Sequence, residues 1–170
     1  MMNERFPIGE FVCMEHISTK EIKSWVNEIR TLPMRLIEVV NHLSDVELEY
    51  TYREGSWTIR QIIHHIADSH MNAYIRFKLA LTEESPTIKP YAEEKWAELS
   101  DSKLPIDTSL KIIESLHDRW VYLIENLTDE QLKRTFIHPD SGVVSIEKNI
   151  GIYAWHGNHH LAHIKNALKE

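Results

Sequence analysis

Apolar residues return at steps of three and four along most of this chain, and that period leaves little choice of backbone. Ser18-Thr19-Lys20-Glu21 has the capping pattern in which a serine and a glutamate satisfy each other's orphan amides. Beyond it come Ile22, Trp25, Val26, Ile29, Leu32, Leu36, Val39, Val40 and Leu43, the spacing of one face of an amphipathic α-helix. Pro33 falls inside this run and predicts a kink or a turn boundary, because proline has no N–H and its ring crowds the preceding turn. A second helix is predicted from about Thr58 to Leu81 on Ile59, Ile62, Ile63, Ile66, Ala73, Phe77 and Leu81. A third, capped by Asp107, carries Leu110, Ile113, Leu116, Trp120, Leu123, Ile124 and Leu127. Ser145 caps a fourth that runs to about Leu168.

The connections are short of regular structure. Arg53-Glu54-Gly55-Ser56 breaks the chain before the second helix, and Pro86, Pro90 and Pro105 punctuate the next connection around a short helix in Tyr91 to Leu99. Thr128-Asp129-Glu130-Gln131 caps one further short turn. His138-Pro139-Asp140-Ser141-Gly142 reads as a turn between two extended pieces, Thr135-Phe136-Ile137 and Val143-Val144. Four long helices without an extensive sheet predict an all-α, four-helix bundle with short extra helices, and connections of unequal length predict at least one crossover.

A chain of 170 residues, 42% of them apolar, is expected to form one domain over 1–170. Its net charge of -7 argues against affinity for phosphate backbones or anionic lipid surfaces, so no nucleic acid and no membrane partner is expected. No apolar run approaches the ~20 residues of a membrane span, and Met1-Met2-Asn3-Glu4-Arg5-Phe6-Pro7 lacks the order of a signal peptide. A single cysteine, Cys13, rules out a disulfide within the chain and is read as an inert thiol; the expected location is cytoplasmic.

The chemistry is carried by histidine. Four of eleven fall in Trp155-His156-Gly157-Asn158-His159-His160-Leu161-Ala162-His163, and His64-His65-Ile66-Ala67-Asp68-Ser69-His70 forms a second cluster upstream. On a helix His159 and His163 lie one turn apart, a spacing that lets two imidazoles hold one ion. A helical wheel gathers His156, His159 and His163 in one sector beside the apolar stripe, with His160 between sector and stripe. In the second helix periodicity prefers His65 over His64 only weakly, and His70 falls on the stripe. Asp68, near His65, can orient an imidazole or make a surface ion pair equally well. His160 stands where a zinc peptidase of the His-Glu-x-x-His type needs its glutamate, which disfavours that class. Phosphate-binding loops, Cys-x-x-Cys pairs, nucleophile elbows and the Glu-x-x-His pairs of di-iron bundles are absent from the sequence.

Taken with Gly55-Ser56-Trp57-Thr58-Ile59-Arg60-Gln61, the two clusters resemble the DinB-like superfamily and within it the YfiT-type branch, described as metal-dependent hydrolases and bacillithiol S-transferases. Pro7-Ile8-Gly9-Glu10, the stretch Met71 to Lys78, Leu81-Thr82-Glu83-Glu84 and His138-Pro139-Asp140 extend the likeness over essentially the whole chain. The resemblance implies a DinB-like four-helix bundle, commonly dimeric, with one divalent metal ion, zinc or nickel, on three histidines. By position in the motif these are His65, His159 and His163, with Asp68 and His160 as supporting or proton-relaying groups.

Three neutral imidazoles leave an ion its full charge and open positions. The chain is therefore expected to activate a small-molecule thiol for attack on an electrophile, or water for attack on a hydrolysable substrate. A metal-binding stress protein without turnover is the alternative of a different class. Trp57 is expected to pack, and Tyr74 and Arg76 to line the site or pair elsewhere.

Overall fold

The computed structural model describes residues 4–169; the first three residues and Glu170, the outermost positions of the expected 1–170 domain, lie outside them. Four long helices dominate: α1 (Thr19–Val40), α2 (Ile59–Thr82), α4 (Asp107–Glu125) and α6 (Ile146–Ala167), with the one-turn helices α3 (Glu93–Trp96) and α5 (Asp129–Leu132) between them. β1 (Thr135–His138) and β2 (Gly142–Ser145) pair antiparallel across the predicted turn, where Gly142 takes a positive φ of 78°.

Local signals set most of the boundaries. Ser18, Thr58 and Thr128 each accept from the backbone N–H three residues on, while Glu21, Gln61 and Gln131 reach back to the cap's own N–H. Ser145 caps α6 through Lys148 N–H. The expected Asp107 cap does not form: Ile106 holds the cap position and Asp107 sits in the first turn of α4, where its charge faces the helix's positive end. α1 continues through Pro33 rather than stopping there. Pro33 has no N–H to offer the Ile29 carbonyl, and a side chain from α4 takes that acceptor instead: His117 Nδ1 donates to Ile29 O at 2.6 Å.

The bundle is not wound in chain order. α1 packs on α6 and α4, and α2 packs on the same two helices, so α1 and α2 sit diagonally, as do α4 and α6. The predicted crossover is therefore real, and it sets α2 beside α6, which carry the two histidine clusters.

The core divides into two apolar clusters. One holds Ile29, Ala73, Phe77, Trp120, Ile150 and Ala154, the other Leu32, Leu36, Ile62, Ile66, Ile113 and Leu161. Along each helix the residues between these groups include His70 on α2, His117 on α4, and His156 and His160 on α6. A layer of imidazoles thus crosses the middle of the bundle. α6 lies tightly on α1: a Cβ on Gly157 would stand 2.5 Å from Leu32 Cδ2, and one on Gly151 2.9 Å from the Trp25 ring. Beside this seam Arg35 donates to Asn158 Oδ1, and Asn158 donates to Glu28 Oε2.

Candidate metal centre

α2 and α6 deliver three imidazoles to one point. The Nε2 atoms of His65 and His156 are 3.2 Å apart. One ring nitrogen from each of His65, His156 and His160 lies within 4.8 Å of the other two. The His65–His156 contact is at hydrogen-bond distance, one ring donating to the other.

The electrostatics suit ligation. Burial pushes the His65 imidazole down to about 4. Burial first, and then repulsion among neighbouring histidines, holds His156 and His160 well below the usual imidazole range. All three are neutral near pH 7 and keep a lone pair to offer.

The two other expected ligands, His159 and His163, line the same cleft beside this group, with ring centroids 4.2 Å apart. His159 stacks on Trp155, with ring centroids 4.5 Å apart, and its buried Nδ1 has no hydrogen-bond partner among the described residues. His163 lies flat against Tyr52 at 3.8 Å and donates from Nε2 to the Arg5 carbonyl. His160, expected as a supporting group, is one of the three. Asp68 is absent from the walls of the histidine cleft; burial and the nearby Asp101 charge raise its carboxyl to about 6.

His156 and His160 have the same one-turn spacing as His159 and His163, so α6 carries two His-x-x-x-His pairs. Which pair turns toward α2 depends on the rotation of α6 about its axis, and the Gly157–Leu32 approach fixes that rotation.

The three imidazoles open on a cleft of about 480 Å³. Trp57 packs against the His65 ring at 4.6 Å, and Phe6, Tyr52, Ile152, Tyr153 and Trp155 supply further wall. Arg5 and Arg53 line the same cleft and give it positive charge. Tyr74 is not a lining residue; it lies beneath Lys78 and Arg119. Nor is Arg76, whose charge acts on Glu93 and Tyr153. Size alone would not select this cleft. A larger one of about 780 Å³, lined by Arg60, Gln61 and Ala97, contains no histidine or cysteine.

A bundle with diagonal first and second long helices, and histidines from two helices converging on a cleft, defines a histidine-centred helical class. The chain belongs to the DinB superfamily, whose family model matches residues 28–164. It is 54% identical over 167 residues to a protein of Halalkalibacterium halodurans and 57% identical over 168 residues to one of Oceanobacillus iheyensis. The alignments cover 98% and 99% of this chain and 98% of each relative, and both relatives are named as candidate metal-dependent hydrolases. Among solved structures it is similar to YfiT from Bacillus subtilis, described as a candidate metal-dependent hydrolase with an unusual four-helix bundle topology. The TM-score is 0.94 at 46% identity, over 97% of this chain and 95% of that one. A mycothiol-dependent maleylpyruvate isomerase shares the fold at TM-score 0.68 and 16% identity, over 84% of this chain and 60% of the other.

Proposed function

We propose that this protein is an enzyme that holds one divalent metal ion, zinc or nickel, on His65, His156 and His160 and activates a low-molecular-weight thiol for attack on an electrophile. The observation that carries the reading is the convergence of three neutral imidazoles on the floor of an open cleft. When bound there, a divalent ion supplies a Lewis acid that stabilises a thiol or a water in its anionic form near neutral pH.

The protein's own groups bind and orient. Arg5 and Arg53 attract an anionic thiol or electrophile to the cleft. Trp57, Tyr52 and Tyr153 offer aromatic wall to its carbon skeleton. Asp68, outside the walls of this cleft, takes no part in this reading.

The named thiol dependence of the isomerase that shares the fold supports thiol chemistry. The names of the relatives support hydrolysis as the second reading, with water in the thiol's place. No described helix is long and apolar enough to cross a membrane, consistent with a small-molecule substrate met in water. A homodimer is part of the proposal, to be read by light scattering.

The test is an assay of untagged protein, with and without metal, using monochlorobimane with bacillithiol, glutathione and cysteine, beside ester and amide panels. Metal-dependent conjugation is expected. Metal-dependent turnover of esters or amides alone would select hydrolysis. Metal bound in stoichiometric amount with no turnover of any of these would leave a binding protein.

A further inference from the structure

One side of the histidine cleft is hydroxylic. Ser69 follows His65 by one turn of α2, and Tyr153 precedes His156 by one turn of α6. Both line the cleft, and both are more than nine-tenths buried, at 3% and 6% exposed. Ser69 Oγ donates to the Tyr153 hydroxyl across a long 3.5 Å. The tyrosine oxygen is the acceptor of this pair, so its own proton is left over, with no acceptor among the described residues. Burial raises the phenol above its usual range, and near neutral pH it is therefore a donor and not a phenolate.

The ring that carries this donor is clamped. His70 and Trp120 stand edge-on to it, with ring centroids at 5.1 and 5.6 Å, and the His156 ring closes a third side at 5.5 Å. His70 and Trp120 are themselves fully buried. A donor fixed in this way needs no reorganisation when charge develops beside it, which is the condition for stabilising an oxyanion.

The place of the donor selects the electrophile. The hydroxyl pair is displaced from the cleft imidazoles by about one helical turn, about 5 Å along the axis. An oxygen on the attacked carbon itself would lie beside the imidazoles and not at the hydroxyls. An α,β-unsaturated carbonyl separates the two positions, since sulfur attacks the β-carbon and the oxygen lies three bonds further on.

We propose that Tyr153 is a catalytic hydrogen-bond donor to the carbonyl oxygen of α,β-unsaturated electrophiles, that Ser69 is its positioning residue, and that the thiol chemistry of this cleft is conjugate addition. The proposal rests on the thiol reading above, but not on which α6 imidazoles carry the ion. The thiolate sulfur forms a bond to the β-carbon, and the C=C π pair moves to the α-carbon and onto the carbonyl oxygen. The Tyr153 O–H bonds that oxygen as its charge grows. The proton given up by the thiol returns through water to the α-carbon. The product is a saturated thioether; no group leaves and nothing is oxidised.

Two electrophiles with one thiol test this in metal-loaded protein: benzylideneacetone, an enone, and monochlorobimane, which loses chloride. Tyr153→Phe, which keeps the ring, is expected to lower kcat for the enone about 100–1,000-fold, with KM within about threefold, and kcat for monochlorobimane by less than about tenfold. Ser69→Ala is expected to lower the enone kcat about tenfold, and Ser69→Thr to recover it.

A second readout needs no turnover. Benzylacetone, the saturated ketone, is expected to bind metal-free wild type with a lowered infrared carbonyl stretch that moves back up in Tyr153→Phe. Equal losses for both electrophiles in Tyr153→Phe, turnover of monochlorobimane without the enone, or a carbonyl stretch that the substitution does not move would overturn the proposal, as would a ketone that does not bind. Metal-loaded wild type that turns over neither electrophile would instead sink the thiol reading, and the carbonyl stretch would still decide the donor.

Discussion

Gly157 and Leu32 meet where α6 crosses α1, so closely that the Cβ glycine lacks would lie 2.5 Å from Leu32 Cδ2. Gly157 stands between His156 and His160, and the contact sets how both imidazoles are presented to His65. Gly157→Val is expected to cost about 1–3 kcal/mol through overpacking and to weaken metal binding as α6 is pushed outward. Urea unfolding and titration calorimetry with Zn(II) check it; unchanged values in both would show that the seam yields without moving the helix.

Two His-x-x-x-His pairs share α6, and substitution separates them. His65→Ala, His156→Ala and His160→Ala are each expected to lower Zn(II) affinity by more than roughly a hundredfold, beyond the range seen for groups that merely support a ligand. His159→Ala should retain stoichiometric metal. Metal analysis of untagged protein decides, and retention in His156→Ala together with loss in His159→Ala would return the site to the other pair.

Acid should destabilise the metal-free protein before it reaches the carboxylates. Burial holds His65 and His117 at about 4, against an ordinary value of 6.5. Above pH 6.5 neither folded nor unfolded chain binds these protons, and stability is at its full value. Between pH 6.5 and 4 the unfolded chain takes up protons that the folded one refuses. Stability then falls by about 1.4 kcal/mol per pH unit for each such group. Asp68, raised to about 6 from 3.8, has the opposite sign and loses stability as pH climbs through that interval, but it is one half-exposed group against several buried rings. Melting temperatures at pH 5, 6 and 7 are expected to rise in that order; a flat series would mean the rings are charged or solvated in the fold.

Trp120 closes the imidazole layer from one side, its ring edge-on to both His70 and His117 at 5.9 Å, fully buried and with no partner for Nε1 among the described residues. Trp120→Ala is expected to cost about 3–5 kcal/mol. Trp120→Phe removes the unsatisfied N–H along with part of the ring, and the two changes offset, so a cost well below that of alanine is expected in denaturant unfolding.

The helices were legible because their apolar residues repeat at a helical period and their caps are local: Ser18 with Glu21 and Thr58 with Gln61 declare their ends within four residues. The diagonal placement of α1 and α2 was legible only as unequal connections, since nothing local in a loop states which helix the next one meets. His65 could be singled out because its family motif is specific and α2 has one wide apolar face. The choice between His156/His160 and His159/His163 lay beyond periodicity, because α6 is apolar nearly all round and any rotation buries something. His117 gave no signal at all. A lone histidine on an apolar stripe looks like core, and its partner is a backbone carbonyl 88 residues away.

Pro33 carries a consequence for how the bundle keeps its alignment. Only one carbonyl on the buried face of α1 is left open by a missing N–H, and only one imidazole on α4 reaches it. Sliding α1 along α4 by a single turn would present His117 with a carbonyl already occupied and leave the Ile29 oxygen buried without a donor. The proline therefore works as an index mark: a gap in one helix's hydrogen-bond ladder that tells its neighbour where to stop.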